Sequence, residues 1–112
     1  MDCVFCKIAA GEIPCKKVYE DDRILAFYDL EPRAPVHILL IPKKHIASMT
    51  ELTPENSGVV SHIFETAARL AAEKHLDRGF RVVCNAGPDG GQTVPHLHFH
   101  LLGGRSMKWP PG

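Results

Sequence analysis

The sequence contains no excess of charge of either sign and no run of basic residues. It has 13 lysines and arginines against 13 aspartates and glutamates, so its formal net charge at pH 7 is zero when the histidines are neutral. Proteins that bind nucleic acid or anionic membranes usually present a dense basic surface to the phosphates. The balanced charge therefore argues against nucleic acid and membranes as partners.

The chain also lacks a long apolar stretch. No segment reaches the roughly 20 apolar residues that a membrane-spanning helix needs, and Met1-Asp2-Cys3 does not resemble the start of a signal peptide. We therefore expect a cytoplasmic protein, whose four cysteines are thiols or metal ligands rather than disulfides. A length of 112 residues predicts one domain, residues 1–112.

What the sequence does have is a concentration of histidine near its C-terminus. Three of its seven histidines, His96, His98 and His100, occupy alternate positions within Pro95–Leu102, with large apolar residues between them. Alternation with period two predicts a half-buried strand that carries all three imidazoles on one face. A single histidine on a strand is usually inert, but three imidazoles in a row indicate chemistry near neutral pH. The other histidines that we could place on predicted elements, His37, His62 and His75, are expected to be structural or solvated.

Periodicity and breaker residues predict the remaining elements. A short helix is expected over Val4–Ala10, and a long one from an N-cap at Thr53 to about His75. Short joins between consecutive strands favour antiparallel pairing. The fold class is therefore α+β: one antiparallel sheet of about five strands with one long and one short helix. The other four strands are predicted at Lys17–Glu20, Ile24–Tyr28, Val36–Ile41 and Phe80–Asn85.

A glycine-rich loop, Ala86–Val94, leads directly into the histidines. Its glycines would let the backbone approach a ligand closely, and successive N–H groups in such a loop can form an anion nest. Asn85, Gln92 and Thr93 add polar side chains. A phosphate held there would lie beside imidazoles, which suits nucleophilic attack at phosphorus.

The stretch His96–Leu102 resembles the His-φ-His-φ-His-φ-φ signature of the histidine triad nucleotide-binding proteins, where φ is apolar. The likeness covers nearly the whole chain and implies a HIT-like fold. The branch that it resembles most hydrolyses adenosine 5′-phosphoramidates and similar purine nucleotide conjugates. Further motifs carry the resemblance in the expected order: Asp21-Asp22-Arg23, Phe27-Tyr28-Asp29-Leu30, Ile41-Pro42-Lys43-Lys44-His45-Ile46, Asp89-Gly90-Gly91-Gln92-Thr93, and Leu102-Gly103-Gly104-Arg105 to Trp109-Pro110-Pro111-Gly112.

The resemblance also implies catalytic roles. His98 would attack the α-phosphorus and form a nucleotidyl-histidine intermediate, which water then hydrolyses. His100 and His96 would orient it and bind phosphoryl oxygens. Thr93 would help to protonate the leaving amine, and Asp29 would accept hydrogen bonds from the ribose hydroxyls.

The same resemblance implies a binding site for the nucleotide and a homodimer. The tail from Trp109 would reach toward the partner's site. Ordinary core packing is the alternative role for the residues that would wall the purine pocket. Those residues are Phe5, Ile8, Phe27 and Leu30, and Asn85, Gly91 and Gln92 would lie at the phosphate or leaving group.

Cys3 and Cys6 form a Cys-x-x-Cys pair, which alone is a weak signal. A thioredoxin-like motif would need a preceding strand, and none is predicted. Zinc would need two more ligands. Some bacterial-type triad proteins hold zinc with two cysteines and two histidines, which implies His45 and His96 here. We expect structural zinc and no organic cofactor, with an unmetallated thiol pair as the alternative.

Three functions stay open at this level. The leading one is a purine nucleoside phosphoramidase. The second is a dinucleoside polyphosphate hydrolase with the same triad, and the third is a non-catalytic, zinc-stabilised module that binds nucleotides or proteins. No residue in the sequence selects adenine over guanine.

Overall fold

The computed structural model describes residues 3–112, so Met1 and Asp2, on which the expectation about a signal peptide rested, lie outside it. No helix in this range is long and apolar enough to cross a bilayer. Besides one short 3₁₀ turn at Met49–Glu51, the described residues form α1 (Val4–Ala9), β1 (Lys17–Glu20), β2 (Ile24–Tyr28), β3 (Val36–Pro42), α2 (Gly58–Glu73), β4 (Phe80–Val83) and β5 (Phe99–Gly103).

The five strands form one sheet in the order β1-β2-β3-β5-β4, and every neighbouring pair is antiparallel. This confirms the predicted α+β class. The central strand β3 is buried along almost its whole length. In its register with β5, Leu39 lies opposite His100 and His37 lies opposite Leu102. His37 and His100 are therefore diagonal neighbours on one face of the sheet.

Helix α2 covers the other face. Its apolar stripe includes Ile63 and Leu70, which pack with Ile38, Leu40 and Leu101 from the two central strands in the main core. Spacing of three and four residues places such side chains on one side of a helix, so the stripe can be buried while the opposite side stays polar. The main core thus anchors β3 and β5, the strands that carry His37 and His100.

The short helix α1 lies on the histidine-bearing face. Its Phe5 joins a smaller core with Leu25, Phe27, Leu39 and Ile41. Phe5 and Phe27 meet edge to face, with ring centroids 5.7 Å apart. This second core fixes the N-terminal segment against the sheet beside the histidines.

The predicted start of the long helix at Thr53 is wrong. The Thr53 N–H donates to the side chain of Asn56 at 2.7 Å, and the Asn56 amide donates to the Glu51 carbonyl at 3.1 Å. Those bonds close a separate turn, so α2 begins only at Gly58. It ends at Glu73, and His75 has a left-handed backbone with φ of 61°.

The histidine strand is shorter than predicted. Ladder pairing begins at Phe99, so only His100 of the three histidines belongs to β5. Before it, the His96 N–H donates to the Val94 carbonyl at 2.8 Å and the Leu97 N–H donates to Ile46 at 2.6 Å. His96 and His98 therefore sit on a segment held by turn and loop hydrogen bonds.

Replacing Leu40 by alanine should destabilise the protein by about 2–5 kcal/mol, because Leu40 is 0% exposed in the main core and the deletion leaves a cavity. Leu30→Ala is the matched control, since Leu30 is 91% exposed and should change stability by less than about 0.5 kcal/mol. Urea unfolding measures both. Equal effects of the two substitutions would contradict the described core.

Candidate active site and metal centre

Four of the predicted residues converge into one cluster. Cys3 caps the N-terminus of α1 and Cys6 lies one turn later, so both sulfurs face the same side. Cys3 Sγ lies 3.2 Å from His96 Nδ1, and Cys6 Sγ lies 3.2 Å from His45 Nδ1. The two imidazole Nδ1 atoms are 3.2 Å apart, and all four ligand atoms fall within 4.8 Å of one another.

This geometry fits zinc. Zn–S and Zn–N bonds of ~2.3 and ~2.0 Å in a tetrahedron separate ligand atoms by about 3.3–3.8 Å, close to the distances in the cluster. The His96 Nε2–H donates to the Pro42 carbonyl at 2.8 Å, so the lone pair on Nδ1 is free to bind a metal ion. The predicted zinc site, Cys3, Cys6, His45 and His96, is confirmed as a structural one. Four protein ligands leave no open position for water, so zinc there would supply stability.

The ring of His98 is oriented by the backbone two residues before it. Its Nδ1 lies 2.7 Å from the His96 carbonyl oxygen. Because a carbonyl can only accept, Nδ1 carries the proton in neutral His98 and Nε2 keeps its lone pair. The side chain is 5% exposed, and the Phe5 ring packs edge to face against it with centroids 5.1 Å apart. His98 is thus an imidazole held with an unprotonated Nε2.

His37 and His100 form a second pair with assigned tautomers. The Arg33 N–H donates to His37 Nδ1 at 3.0 Å, so the proton of neutral His37 is on Nε2. That Nε2–H donates to His100 Nδ1 at 2.9 Å, which places the His100 proton on Nε2. Asp29 Oδ2 is 3.4 Å from His37 Nε2 and steadies the pair. His100 is left with one N–H donor to offer a ligand.

Sequence reasoning missed His37. It is 5% exposed and hydrogen-bonded to a triad histidine, so it is not solvated. The available signal was its position as a lone polar residue inside the apolar run Val36–Ile41. His62, by contrast, is structural as expected, because its Nε2 pairs with Asp21 Oδ2 at 2.6 Å.

Burial keeps this pair of imidazoles neutral. Burial, together with the positive charges that His98 and His37 can carry, lowers the pKa of His100 to about 4, and Asp29 opposes part of this shift. Burial likewise lowers the pKa of His37. A charged form is disfavoured where water cannot solvate it. At pH 7 both rings are therefore neutral and keep the tautomers described above.

A cavity of about 330 Å³ opens beside His98 and His100. Its walls are mainly apolar, and Asp29 lies on its edge with Oδ1 accepting the Glu31 N–H at 2.8 Å. Leu30 is 91% exposed and lies at the rim. The structure brings most of the predicted nucleotide-binding residues to this cavity: Phe5, Ile8, Phe27, Asp29, Leu30, Thr93, His98 and His100.

Two side chains that were predicted to bind the nucleotide form hydrogen bonds with the backbone in and around the glycine-rich loop. The Gln92 amide donates to the carbonyls of Ala47 and Val94 at 2.8 and 3.0 Å. Asn85 Nδ2 donates to the Gly90 carbonyl at 2.6 Å. Both amides therefore shape the loop, and neither side chain lines the cavity.

Gly91 and Trp109 also lie outside this cavity. Gly91 has φ of 81°, and its N–H donates to Pro88 within the loop at 3.1 Å, so that amide is not part of the expected anion nest. Trp109 is 84% exposed. The tail around it is held by Arg81, which donates to the carbonyls of Lys108 and Pro111.

The model of the HIT domain family matches residues 10–107, which is most of the chain. The chain belongs to the histidine triad (HIT) family. The predicted family and fold are thereby confirmed. A crystal structure of a HIT family hydrolase from Legionella pneumophila superimposes with a TM-score of 0.97 at 51% identity, covering 99% of this chain and 100% of that one.

Named HIT relatives include plant and cyanobacterial proteins. A HIT-like protein of Synechococcus elongatus is 55% identical, with 99% of this chain and 97% of that protein covered. A 14 kDa zinc-binding protein of Brassica juncea is 47% identical, with 99% and 100% covered. Adenylylsulfatase HINT1 of Arabidopsis thaliana is 45% identical, with 97% and 76% covered.

The double substitution Cys3→Ser and Cys6→Ser should abolish zinc binding, because it removes both thiolates from the cluster. Elemental analysis should find about one zinc per chain in the unmodified protein. Cys84→Ser is the control and should keep its zinc, since Cys84 lies outside the cluster. Equal metal content in all three proteins would contradict the assignment.

His100 should titrate near pH 4 rather than at its ordinary value of 6.5. The unfolded chain then binds more protons than the native one between these values, so stability is full above pH 6.5 and declines as pH falls toward 4. NMR of the imidazole signals measures the midpoint, and His100→Asn identifies the signal by its loss. A midpoint near 6.5 would contradict the burial argument.

Proposed function

We propose that this HIT protein hydrolyses purine nucleoside 5′-phosphoramidates and releases AMP or GMP. The observation that carries the proposal is His98, whose Nδ1 is bonded to the His96 carbonyl at 2.7 Å. Its Nε2 has no hydrogen-bond partner among the described residues, and the side chain lines the apolar cavity. A buried neutral imidazole with a free lone pair is a competent nucleophile toward phosphorus.

In the proposed first step, His98 Nε2 attacks the α-phosphorus and the bond from phosphorus to the leaving nitrogen breaks. A phosphorus–Nε2 bond takes its place. The nitrogen departs as an amine that has taken up a proton from solvent, and we propose that the hydroxyl of Thr93, a residue that lines the cavity, relays this proton. The Nδ1–H bond to the His96 carbonyl stabilises the positive charge that develops on the ring.

The second step returns the enzyme to its starting state. Water attacks the phosphorus of the nucleotidyl-histidine and releases a proton to solvent, the phosphorus–Nε2 bond breaks, and the nucleotide leaves with the new oxygen. His100 offers its Nε2–H to a phosphoryl oxygen in both steps, because the His37 donor holds its Nδ1. His37 acts through His100 and is a positioning residue.

The residues that line the cavity also provide the proposed contacts for the purine and the ribose. The edge-to-face aromatic pair Phe5 and Phe27, with Ile8 and the exposed Leu30 at the rim, offers apolar contact to a purine. Asp29 offers carboxylate oxygens to the ribose hydroxyls. Asn85, Gly91 and Gln92 shape the loop that carries Thr93.

His96 has a different part from the other two triad histidines. Its Nδ1 belongs to the metal cluster and its Nε2–H to Pro42, so neither ring nitrogen is left for phosphate. Its backbone carbonyl, however, orients His98. We propose that His96 supports catalysis through that carbonyl and through zinc.

The proposal extends to the assembly of the protein. We propose a cytoplasmic homodimer, with residues 1–112 as a single HIT domain. The exposed indole of Trp109, on a tail outside the cavity of its own chain, suits contact with a partner's site.

A second candidate reaction is hydrolysis of adenylyl sulfate to AMP and sulfate. The 45% identical relative from Arabidopsis thaliana is named an adenylylsulfatase, which favours it. The same nucleophile would serve, because only the leaving group differs. Kinetic comparison of adenosine phosphoramidate, adenylyl sulfate and a dinucleoside polyphosphate ranks the candidates.

His98→Asn should lower the turnover of adenosine phosphoramidate by about 10³-fold or more, because it removes the attacking lone pair. AMP binding, measured by calorimetry, should persist because the apolar walls remain. His75→Asn is the control; His75 is exposed with φ of 61°, a conformation that asparagine tolerates. Equal rates for His98→Asn and the unmodified protein would refute the enzymatic role, and AMP binding without turnover would favour a binding module.

A further inference from the structure

A second groove of about 240 Å³ lies beside the His37–His100 pair. It shares His100 with the apolar cavity, and the other residues that line it include His37 and three arginines, Arg33, Arg81 and Arg105. We call this groove, with its three arginines, the arginine groove. Within residues 3–112, no acidic side chain is among those lining it.

The charge of the arginine groove is fixed in place. Arg81 donates to the carbonyls of Lys108 and Pro111 at 2.6 and 3.1 Å, and Arg105 Nε donates to the Arg33 carbonyl at 3.0 Å. Carbonyl acceptors orient a guanidinium without neutralising it. In a chain whose formal net charge is zero, three such cations around one groove create a local positive potential.

Arg33 is the member nearest the chemistry. Its backbone N–H binds His37 Nδ1 at 3.0 Å and its carbonyl accepts from Arg105, so the residue is anchored from both sides. Among the described ion pairs no carboxylate partners its guanidinium. Arg33 also lines the mouth of the site with Thr93, His100 and two carboxylates, Asp29 and Glu31. Neither carboxylate forms an ion pair with Arg33, so its guanidinium can bind an anionic group of the ligand beside the phosphate site.

In-line displacement at phosphorus sends the leaving group away from the attacking atom. With the nucleoside in the apolar cavity and phosphate at His98 and His100, the arginine groove provides space beyond His100 for that group. We propose that the arginine groove is a leaving-group subsite that selects phosphoramidates whose departing amine carries a carboxylate. This rests on the proposed function. The carboxylate takes no part in bond breaking; the amine departs protonated and the carboxylate stays bound to guanidinium until release.

The test uses two matched substrates, AMP joined through nitrogen to glutamate and the same compound as its dimethyl ester. The unmodified protein should show a kcat/KM about 10-fold higher for the free acid, and this ratio should fall as salt is raised. Arg33→Gln should bring the ratio close to one, whereas Arg33→Lys should keep part of it. Arg69→Gln is the control and should leave the ratio unchanged, since Arg69 lies on α2 with its guanidinium over the Tyr19 ring.

The outcomes separate the two proposals. Turnover of both substrates with a ratio near one in the unmodified protein would overturn the subsite and leave the hydrolase standing. A ratio that survives Arg33→Gln, or an equal loss on both substrates, would also overturn it, because Arg33 would then act only on structure. No turnover of either substrate would overturn both proposals.

Discussion

The hydrogen bond from His98 Nδ1–H to the His96 carbonyl, at 2.7 Å, is the constraint on which the rest of the site depends. Imidazole has two nitrogens, and which one keeps a lone pair is decided by what the other one donates to. Here the backbone makes that decision three times. The Pro42 carbonyl accepts from His96 and leaves its Nδ1 free for a metal ion, and the His96 carbonyl accepts from His98 and leaves its Nε2 free for the proposed attack on phosphorus. The Arg33 N–H sets the direction of the His37–His100 bond.

Helix α1 joins the metal cluster to the nucleotide cavity within one helical turn. Cys3 and Cys6 face the cluster, while Phe5 between them packs against Phe27 and against the rings of His96 and His98. The helix has only six residues, and isolated helices of that length are unstable in water. Ligation of both cysteines would therefore do more than hold a terminus, because it fixes the aromatic wall that orients the nucleophile.

The sequence was most informative where one residue type or period had a single physical explanation. The strand patterns and the short joins between them predicted the five-stranded antiparallel sheet, although only His100 of the alternating histidines lies in β5. The resemblance to triad proteins predicted the metal ligands and most of the residues that line the cavity. His37 was missed because its role depends on the register that sets Leu39 opposite His100, which no local pattern encodes. The start of α2 was misplaced because the capping signals at Thr53 mark a separate turn, in which the Thr53 carbonyl accepts from the N–H groups of Asn56 and Ser57, whereas the regular helix begins at Gly58.

Charged side chains are distributed unevenly around the site, although the formal net charge of the chain is zero. Asp29 lines the apolar cavity on one side of the His37–His100 pair, Arg81 and Arg105 line the groove on the other side, and Arg33 lines both that groove and the mouth where Asp29 lies. A neutral His100 can donate a hydrogen bond to a phosphoryl oxygen without adding a positive charge that would attract other anionic groups. At its ordinary pKa of 6.5 about a quarter of His100 would carry a positive charge at pH 7, whereas the lowered pKa of about 4 keeps nearly all of it neutral. The low pKa of His100 thus preserves the donor tautomer, and in the proposed reaction it would leave the arginines as the main positive charge beside the leaving group.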